Sequence, residues 1–307
     1  MQILQFSKAL ADLTRLRLIR ILMEHELAVG EIVEALGLKQ SRISRHLKIL
    51  ASAGLVEWRR DGQWVFYHAS TQGEAGDYLA ALSPFVHAEA DLDADAAAAA
   101  RVVAARRRET ARFFGSIAEE WDQMRRDTLG GLDIAGLVTS RMHGAGTALD
   151  LGCGTGGLLT ALSQQAENVI GVDNSPEMLD RAREAFGEQA GASGRISLRI
   201  GDLEHLPVAD GEADFAVMCL SLHHLASPRE GIGEAYRALH GGGRFVLADF
   251  DKHEVEAMRT ESGDRWLGFA PGDVRAWLEK VGFSIVNEDR FELPSGLRLR
   301  VFEAAKH

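Results

Sequence analysis

A short apolar run that ends in a glycine-rich loop limits the possible folds more than any other part of this chain. The run reads ALDLGCGTGG at residues 148–157, and it has the pattern of a buried strand that enters a loop. From residue 147 onward, strand-like and helix-like patterns alternate, which predicts βαβ units and a mostly parallel sheet. The predicted strands are 147–151, 168–173, 196–201, 213–218, 243–249, 283–290 and 297–304.

The connections between these strands predict the topology. Helices are predicted between the first five strands, and a further helix at 272–281 precedes the sixth. The last two strands are joined by PSG at 294–296, which predicts a hairpin. Such a hairpin brings one antiparallel strand into the sheet.

Polar residues at the ends of the predicted strands indicate what the loop binds. The loop glycines alone fit either a dinucleotide or another nucleoside-bearing ligand. Asp150 precedes them, where a pyrophosphate would need room, and its carboxylate suits a cationic amine. Asp173 ends the second strand, where an acid can accept both ribose hydroxyls. Asp202 and Leu203 follow the third strand and can hold adenine, so the ligand is expected at the carboxyl edge of the sheet.

Four segments of this region resemble the class I S-adenosylmethionine-dependent methyltransferases, and among these the ubiquinone/menaquinone C-methylase branch. They are LDLGCGTG at 149–156, VDNSPEML at 172–179, GDLEHLP at 201–207 and LHGGGRF at 239–245. The resemblance implies a Rossmann-like α/β fold of seven strands that binds S-adenosylmethionine or S-adenosylhomocysteine. It also implies a lid helix with Trp121 facing the pocket. The expected cofactor-binding residues are Trp121, Asp150, Gly152, Cys153, Gly154, Asp173, Asn174, Asp202, Leu203 and Cys219.

The candidate catalytic residues follow the fourth predicted strand. Methyl transfer is a displacement at a sulfonium carbon, so the protein mainly aligns the two partners and can add a base. His223 and His224 are candidates for that base, with packing or helix capping as the alternative. We predict no metal site, because these histidines and Cys219 lack a third well-spaced ligand. Arsenite methylation is not predicted for a chain with only two cysteines.

A basic segment near the N-terminus indicates a second kind of ligand. Helices are predicted near 3–10, 12–24, 30–36, 40–52 and 74–88. The fourth of them begins within KQSRISRHLK at 39–48, which holds four basic residues and no acid. Ile43, Leu47 and Leu50 are expected to face inward, leaving the polar side chains outside. A helix–turn–helix of this kind sets its second helix in the major groove of DNA.

A hairpin is predicted directly after this helix. Asp61 and Gly62 lie between two β-rich runs, which is a strong hairpin signal. Arg59 and Arg60 are expected beside its tip, where a wing contacts phosphates. The alternative is an exposed basic helix with a surface hairpin. The expected DNA-binding residues are Gln40, Ser41, Arg42, Ser44, Arg45, His46, Lys48, Arg59 and Arg60.

Residues 10–70 resemble the ArsR/SmtB family of winged-helix repressors. The resemblance rests on LADLTRLRLI at 10–19, SRISRHLKIL at 41–50 and AGLV at 53–56. It implies a mainly α-helical winged helix–turn–helix fold and a homodimer that pairs through helices at about 3–10 and 74–90. Many members hold a metal with Cys-Val-Cys, but this chain has AVG at 28–30, so metal sensing is not expected.

Composition bounds the domain organisation and the location of the chain. Residues 1–70 hold 10 Lys and Arg against 7 Asp and Glu, whereas residues 111–307 hold 20 against 31. We predict a DNA-binding and dimerisation domain at 1–87, a helical connector at 88–110 and a methyltransferase-like domain at 111–307. We find no apolar run of about 20 residues, as a membrane span needs, and no signal peptide pattern at the N-terminus. We therefore expect a cytoplasmic protein.

Together these features predict a regulator that reads a metabolite. The expected function is DNA-binding transcriptional regulation, with S-adenosylmethionine or S-adenosylhomocysteine as the effector of the methyltransferase-like domain. The alternative is an active small-molecule methyltransferase with an autoregulatory DNA-binding domain. A nucleic-acid methylase is a weaker third hypothesis, because the chain lacks the Asn/Asp-Pro-Pro-Tyr/Phe motif for flipped bases.

Overall fold

The computed structural model describes residues 2–62, 64–192 and 195–307, and only the backbone over 186–192. The chain forms two compact units, Met1–Arg106 and Arg107–His307. The first unit contains α1 (Gln2–Leu10), α2 (Leu13–Glu24), β1 (Leu27–Ala28), α3 (Val29–Leu36), α4 (Gln40–Ser52), β2 (Val56–Asp61), β3 (Trp64–Ala69) and α5 (Gly73–His87). Helix α6 (Ala90–Ile117) begins in the first unit and ends in the second. It covers most of the segment where we expect a helical connector.

Helices α2, α3 and α4 form the helix–turn–helix region predicted from the sequence. The Asp12 side chain accepts a hydrogen bond from the Arg15 N–H and so caps α2. Gly37 ends α3 in the left-handed conformation, with a φ of 64°, which glycine adopts without a steric penalty. Ile43, Leu47 and Leu50 of α4 are fully buried, as their spacing predicts. The predicted inward face of α4, the expected DNA-reading helix (the reader helix), is therefore confirmed.

A three-stranded sheet follows α4 and has the order β1–β3–β2. Strands β2 and β3 pair antiparallel, with Trp58 opposite Tyr67 and Asp61 opposite Trp64. This is the hairpin that the Asp61–Gly62 pair predicts. Gln63, the remaining residue between the two strands, lies outside the described residues.

The second unit is an α/β structure built around one sheet. Its elements after α6 are α7 (Trp121–Leu129), α8 (Ile134–Thr139), β4 (Ala145–Leu151), α9 (Leu159–Ser163), β5 (Ala166–Asp173), α10 (Pro176–Ala192), β6 (Ile196–Ile200), β7 (Ala213–Cys219), α11 (Pro228–Ala238), β8 (Leu239–Phe250), α12 (Met258–Glu261), α13 (Pro271–Val281), β9 (Phe283–Glu292) and β10 (Arg298–Lys306). A 3₁₀ turn at Leu222–His224 follows β7. All seven predicted strands are present.

The order of the sheet determines where a ligand can bind. The strands lie in the order β6–β5–β4–β7–β8–β10–β9. The first five are parallel, and β10 is antiparallel to both neighbours, which confirms the predicted antiparallel strand. The chain moves outward from β4 to β6 and then returns to β7 beside β4. This reversal opens a crevice at the carboxyl ends of β4 and β7.

One predicted connection is wrong. Between β6 and β7 the chain forms turns rather than a helix, with an isolated bridge between Asp202 and His205. Pro207 and Gly211 interrupt the segment, and Leu203, Leu206 and Val208 are buried without helical spacing. The physical reason is that Pro207 has no backbone N–H to donate and Gly211 has a positive φ of 67°, neither of which suits the interior of a helix.

Candidate functional site

A cavity of about 960 Å³, partly open to solvent, lies at the carboxyl ends of β4, β5 and β7. It belongs entirely to the second unit. The structure brings all ten of the expected cofactor-binding residues to its wall. They are Trp121, Asp150, Gly152, Cys153, Gly154, Asp173, Asn174, Asp202, Leu203 and Cys219.

The glycine loop after β4 forms the floor of this cavity. Gly152 has a φ of 79°, a conformation that residues with a Cβ rarely adopt. A Cβ at this position would lie 2.3 Å from the Ser221 Oγ, so a side chain cannot be added without displacing its neighbour. The backbone of the loop therefore lies open to a ligand.

Asp173 shapes the loop from the end of β5. Its carboxylate accepts hydrogen bonds from the backbone N–H groups of Gly154 and Ser175, each at 2.9 Å. Burial raises its pKa, and these N–H groups oppose that rise. A carboxylate oxygen can accept more than one hydrogen bond, so Asp173 can still receive ligand hydroxyl groups.

Asp150 carries an unsatisfied acceptor at the centre of the site. The residue is 2% exposed, and its Oδ2 has no hydrogen-bond partner within the described parts of the chain. Burial raises its pKa to about 7, opposed by the nearby charge of Arg125 and aided by that of Asp173. A buried carboxylate in this state gains most from a ligand that brings a cationic donor.

Aromatic side chains cover the loop from the helical side. Trp121 begins α7, and its Nε1 lies 3.5 Å from the place that a Cβ of Gly154 would occupy. The Phe114 ring meets the Trp121 ring edge to face at 5.1 Å and the His224 ring at 4.6 Å. Sequence reasoning missed Phe114 as a cavity residue, although it lies in the segment that resembles a lid.

Several other lining residues were also missed by sequence reasoning. They include Arg107, Thr110, Arg125, Glu204 and Ser221. The Arg107 Nε lies 2.5 Å from a Glu204 carboxylate oxygen, and Glu204 is almost fully buried. No sequence spacing links residues 97 positions apart, so only the fold reveals this pair.

The two cysteines at the cavity are protonated thiols. Burial is the main cause that raises the pKa of Cys153 well above its ordinary value, and it raises that of Cys219 to about 12. The thiolate is the reactive form of cysteine, so neither residue is suited to nucleophilic chemistry here.

The two candidate catalytic histidines are in ring contact but have different surroundings. His223 does not line the cavity; its Nδ1 lies 2.6 Å from Asp249 Oδ1 and its Nε2 lies 3.6 Å from Asp264 Oδ1. Burial lowers its pKa, but the two carboxylates outweigh burial and raise the pKa to about 9. The prediction of His223 as a base is corrected, because its ring is enclosed by carboxylates away from the cavity.

His224 does line the cavity but is a weak base. Burial, and then the charge of His223, hold its pKa well below its ordinary value. Its Nδ1 lies 3.2 Å from the Gly263 carbonyl oxygen, which accepts a hydrogen bond from it. Its Nε2 is buried and has no hydrogen-bond partner among the described residues.

The reader helix of the first unit presents six of its seven expected DNA-binding side chains to solvent. They are Gln40, Ser41, Arg42, Ser44, Arg45 and Lys48. His46 is the exception: it is 4% exposed, and its Nδ1 lies 3.6 Å from the Asp12 carboxylate. Its prediction as a DNA contact is corrected, because its position on α4 is on the packed face, one residue before the buried Leu47.

The two arginines near the hairpin tip differ in their surroundings. Arg59 is held by the Glu26 carboxylate at 2.7 Å and lies over the Phe66 ring. Its expected contact with phosphate stays a prediction, and it would require the pair with Glu26 to open. Arg60 is exposed and donates from Nε to the Gly62 carbonyl oxygen. Arg60 is thus the better placed of the two to meet a phosphate.

Comparison with known proteins identifies both parts of the chain. Residues 149–247 match the family model described as "Methyltransferase domain", and residues 12–57 match "Bacterial regulatory protein, arsR family". The ubiquinone/menaquinone biosynthesis C-methyltransferase UbiE of a Geobacter species is 31% identical over 190 residues, which are 60% of this chain and 80% of that protein. The chain belongs to the methyltransferase family. It joins a methyltransferase domain to an arsR-family regulatory domain.

Two further proteins are similar to this chain, one in sequence and one in fold. A demethylmenaquinone methyltransferase of Deinococcus radiodurans is 33% identical over 146 residues, 45% of this chain and 58% of that protein. The crystal structure of the [4+2]-cyclase SpnF has a TM-score of 0.54 and 18% identity, covering 64% of this chain and 94% of that chain. The latter similarity concerns the fold alone.

The family relationship has two consequences for ligands. A methyltransferase domain implies binding of an S-adenosylmethionine-type ligand, and an arsR-family domain implies DNA binding. In the parts of the chain that the structure describes, no helix is both long and apolar enough to cross a membrane.

Proposed function

We propose that this methyltransferase-family chain is a DNA-binding transcriptional regulator, with S-adenosylmethionine or S-adenosylhomocysteine as its effector. One observation carries the proposal. All the expected cofactor-binding residues line the cavity, while the histidines expected to act as a base are buried and engaged or weakly basic. The site is therefore better built for binding an adenosyl ligand than for removing a proton.

The residues at the cavity fit an adenosyl ligand. The unsatisfied Oδ2 of Asp150 can accept from the ligand's ammonium group, and Asp173 can accept from the ribose hydroxyls. Asp202 and the Leu203 side chain can hold adenine by a hydrogen bond and by packing. S-adenosylmethionine would supply an electrophilic methyl group, which S-adenosylhomocysteine lacks.

The first unit would supply the DNA contacts. We place the exposed side chains of α4 in the major groove and Arg60 of the hairpin on the phosphate backbone. The chain would act as a homodimer through α1 and α5, so that two reader helices meet two half-sites. This arrangement predicts an operator with inverted-repeat symmetry.

Helix α6 offers a route between ligand and DNA. In the first unit its Asp95 pairs with Arg17, and its Arg106 pairs with Glu31. The same helix continues to Thr110 and Phe114, which line the cavity in the second unit. A ligand that orders the end of α6 can therefore bias the reader helices.

Selection of duplexes from a random pool tests the DNA-binding half of this proposal. Bound duplexes are recovered and sequenced, with Arg45→Ala as the matched variant. We expect an inverted repeat to be enriched by the natural chain and to be depleted with the variant. Equal recovery of all sequences by the natural chain would contradict a regulatory role.

A second candidate function is methyl transfer with autoregulation through the DNA-binding domain. The cavity favours it, because Arg107, Thr110 and Glu204 line it beside the expected cofactor-binding residues and could contact an acceptor. Transfer of label from methyl-labelled S-adenosylmethionine to a small molecule in a cell extract would support it. That transfer should disappear in Asp150→Ala, and its absence in the natural chain would leave the effector role alone.

A further inference from the structure

The turn after β7 and the loop after α12 bring three metal-ligating residues together. His223, His224 and Asp264 each offer one ligand atom, and these atoms lie within 4.8 Å of one another. The three residues are 2%, 7% and 3% exposed, respectively. The sequence did not reveal the group, because the third residue lies 40 positions beyond the histidine pair.

The Nδ1 atoms of both histidines already have hydrogen-bond partners. His223 Nδ1 lies 2.6 Å from Asp249 Oδ1, and His224 Nδ1 lies 3.2 Å from the Gly263 carbonyl oxygen. Both oxygens accept, so each ring carries a hydrogen on Nδ1. His224 can therefore offer a lone pair at Nε2, and His223 can do so once a metal ion displaces the proton that its raised pKa keeps on Nε2. Metal-binding histidines almost always donate their other N–H to a carboxylate or a carbonyl in this way.

The Nε2 atoms of the two histidines are a second indication that a ligand binds here. His224 Nε2 is buried and has no hydrogen-bond partner among the residues that the structure describes. A buried nitrogen without a partner costs free energy unless something bonds to it. His223 Nε2 lies 3.6 Å from Asp264 Oδ1, so a carboxylate ligand stands beside it.

We propose that His223, His224 and Asp264 form a binding site for a divalent transition metal ion, with zinc as the expected occupant. Two imidazoles and one carboxylate are a ligand set that zinc commonly takes. The set leaves a fourth tetrahedral position for water or a small anion. Ligands from two segments of the chain would then be joined through one ion.

The backbone holds the two segments in register for such an ion. The N–H groups of Arg265 and Trp266 both donate to the His223 carbonyl oxygen, at 3.1 and 3.0 Å. The Trp266 Nε1 donates to the Leu225 carbonyl oxygen at 2.8 Å. Leu225 lines the cavity, so the metal would brace one wall of the adenosyl site.

The metal site and a proton-accepting role exclude each other at His224. A lone pair on Nε2 that binds an ion cannot also take a proton from the methyl acceptor. Metal binding would therefore remove the remaining histidine base of the methyl-transfer hypothesis, while leaving the regulatory proposal untouched.

Metal titration of the chelator-treated full chain tests the site. Zinc binding is followed by calorimetry, and cobalt binding by its visible d–d absorption, which reports tetrahedral nitrogen and oxygen ligands. We expect one ion per chain, with the affinity lowered about 100-fold or more in Asp264→Asn and in His224→Gln. Melting temperature should rise with zinc in the natural chain but not in Asp264→Asn or His224→Gln.

An exposed pair in the same unit provides the matched control. His240 Nε2 lies 2.6 Å from Asp214 Oδ1 at the surface, and His240→Ala should bind zinc and cobalt like the natural chain. The proposal is overturned if the natural chain shows no cobalt absorption band. It is equally overturned if Asp264→Asn and His224→Gln, folded by circular dichroism, bind as tightly as His240→Ala.

Discussion

At the scale of single residues, the buried carboxylate of Asp150 dominates the expected ligand affinity. Its Oδ2 has no hydrogen-bond partner within the described chain, and an ammonium group would satisfy it. A hydrogen bond between charged groups contributes about 1.5–3 kcal/mol. Asp150→Asn should therefore weaken binding of S-adenosylmethionine or S-adenosylhomocysteine roughly 10- to 100-fold, as calorimetry would measure.

Asp214 is the control for this substitution. It also carries a partly buried carboxylate, which accepts from the Thr147 N–H at 2.6 Å, but it is the second residue of β7 and does not line the cavity. Asp214→Asn should leave ligand affinity unchanged. Equal losses in both variants would mean that Asp150 acts through stability rather than through contact.

Asp150 also predicts a pH dependence of binding. Burial is the main cause that raises its pKa to about 7 in the free protein. The ligand's ammonium needs the ionised carboxylate, so affinity should fall as pH decreases through about 7, by up to about tenfold per unit. Calorimetry from about pH 5.5 to 7.5, where the ligand's amino group stays protonated, measures this. An equally steep profile in Asp150→Asn would assign the dependence to another group.

Residues at strand ends were the most predictable from the sequence. Asp150 and Asp173 could be placed at the cavity because the carboxyl ends of parallel strands meet at one edge. The charged partners of His46 and Arg59 could not be predicted, because Asp12 and Glu26 lie 34 and 33 residues earlier in the chain. Tertiary pairing of charged side chains leaves no local pattern in a sequence.

At the scale of elements, the glycine loop after β4 is expected to tolerate no side chain. Gly152 has positive φ, and an added Cβ would meet the Ser221 Oγ. Gly152→Ala should lower the free energy of unfolding by about 1–3 kcal/mol and abolish ligand binding. Chemical denaturation and calorimetry measure the two effects.

A glycine of α11 is the matched control for the loop. Gly233 lies inside the helix, and apart from its chain neighbours and the backbone of its own helix, nothing in the described parts of the chain lies within 4 Å of an added Cβ. Gly233→Ala should raise the free energy of unfolding by about 0.5–1 kcal/mol and leave ligand affinity unchanged. Destabilisation by both substitutions would refute the special conformation assigned to the loop.

The reader helix and the hairpin make separable predictions. Arg45 is exposed on α4, whereas Arg59 of β2 is paired with Glu26. Arg45→Ala should weaken DNA binding about tenfold or more, because a base-contacting arginine contributes about 1–3 kcal/mol. Arg59→Ala should lower melting temperature and change DNA affinity less. The reverse ranking in an anisotropy titration would place the DNA on another face.

Periodicity predicted elements well where each element packs by its own pattern. The structure shows the predicted buried face of α4. From β4 to β10 it also shows the predicted strands, with helices in most of the predicted connections. Periodicity could not predict that β6 and β7 are joined without a helix. It also could not predict that Asp264 lies beside His223 and His224. Both depend on how loops pack on the finished sheet, which no spacing rule records.

At the scale of the whole molecule, one chain is expected to bind two ligands and to couple their binding. The methyltransferase domain would bind the adenosyl ligand, and the arsR-family domain would bind DNA. Coupling of 1–3 kcal/mol between two such sites is typical of allosteric proteins. The reciprocity of such coupling means that DNA should also change the affinity for the nucleoside.

The DNA affinity of the natural chain with and without nucleoside tests this account most directly. The selected duplex is titrated at one fixed salt concentration, with saturating S-adenosylmethionine, with saturating S-adenosylhomocysteine and with neither. We predict that at least one nucleoside changes the dissociation constant by about 5-fold or more, and that Asp150→Asn, at the same nucleoside concentrations, loses most of the change. The same dissociation constant in all three conditions would contradict the account.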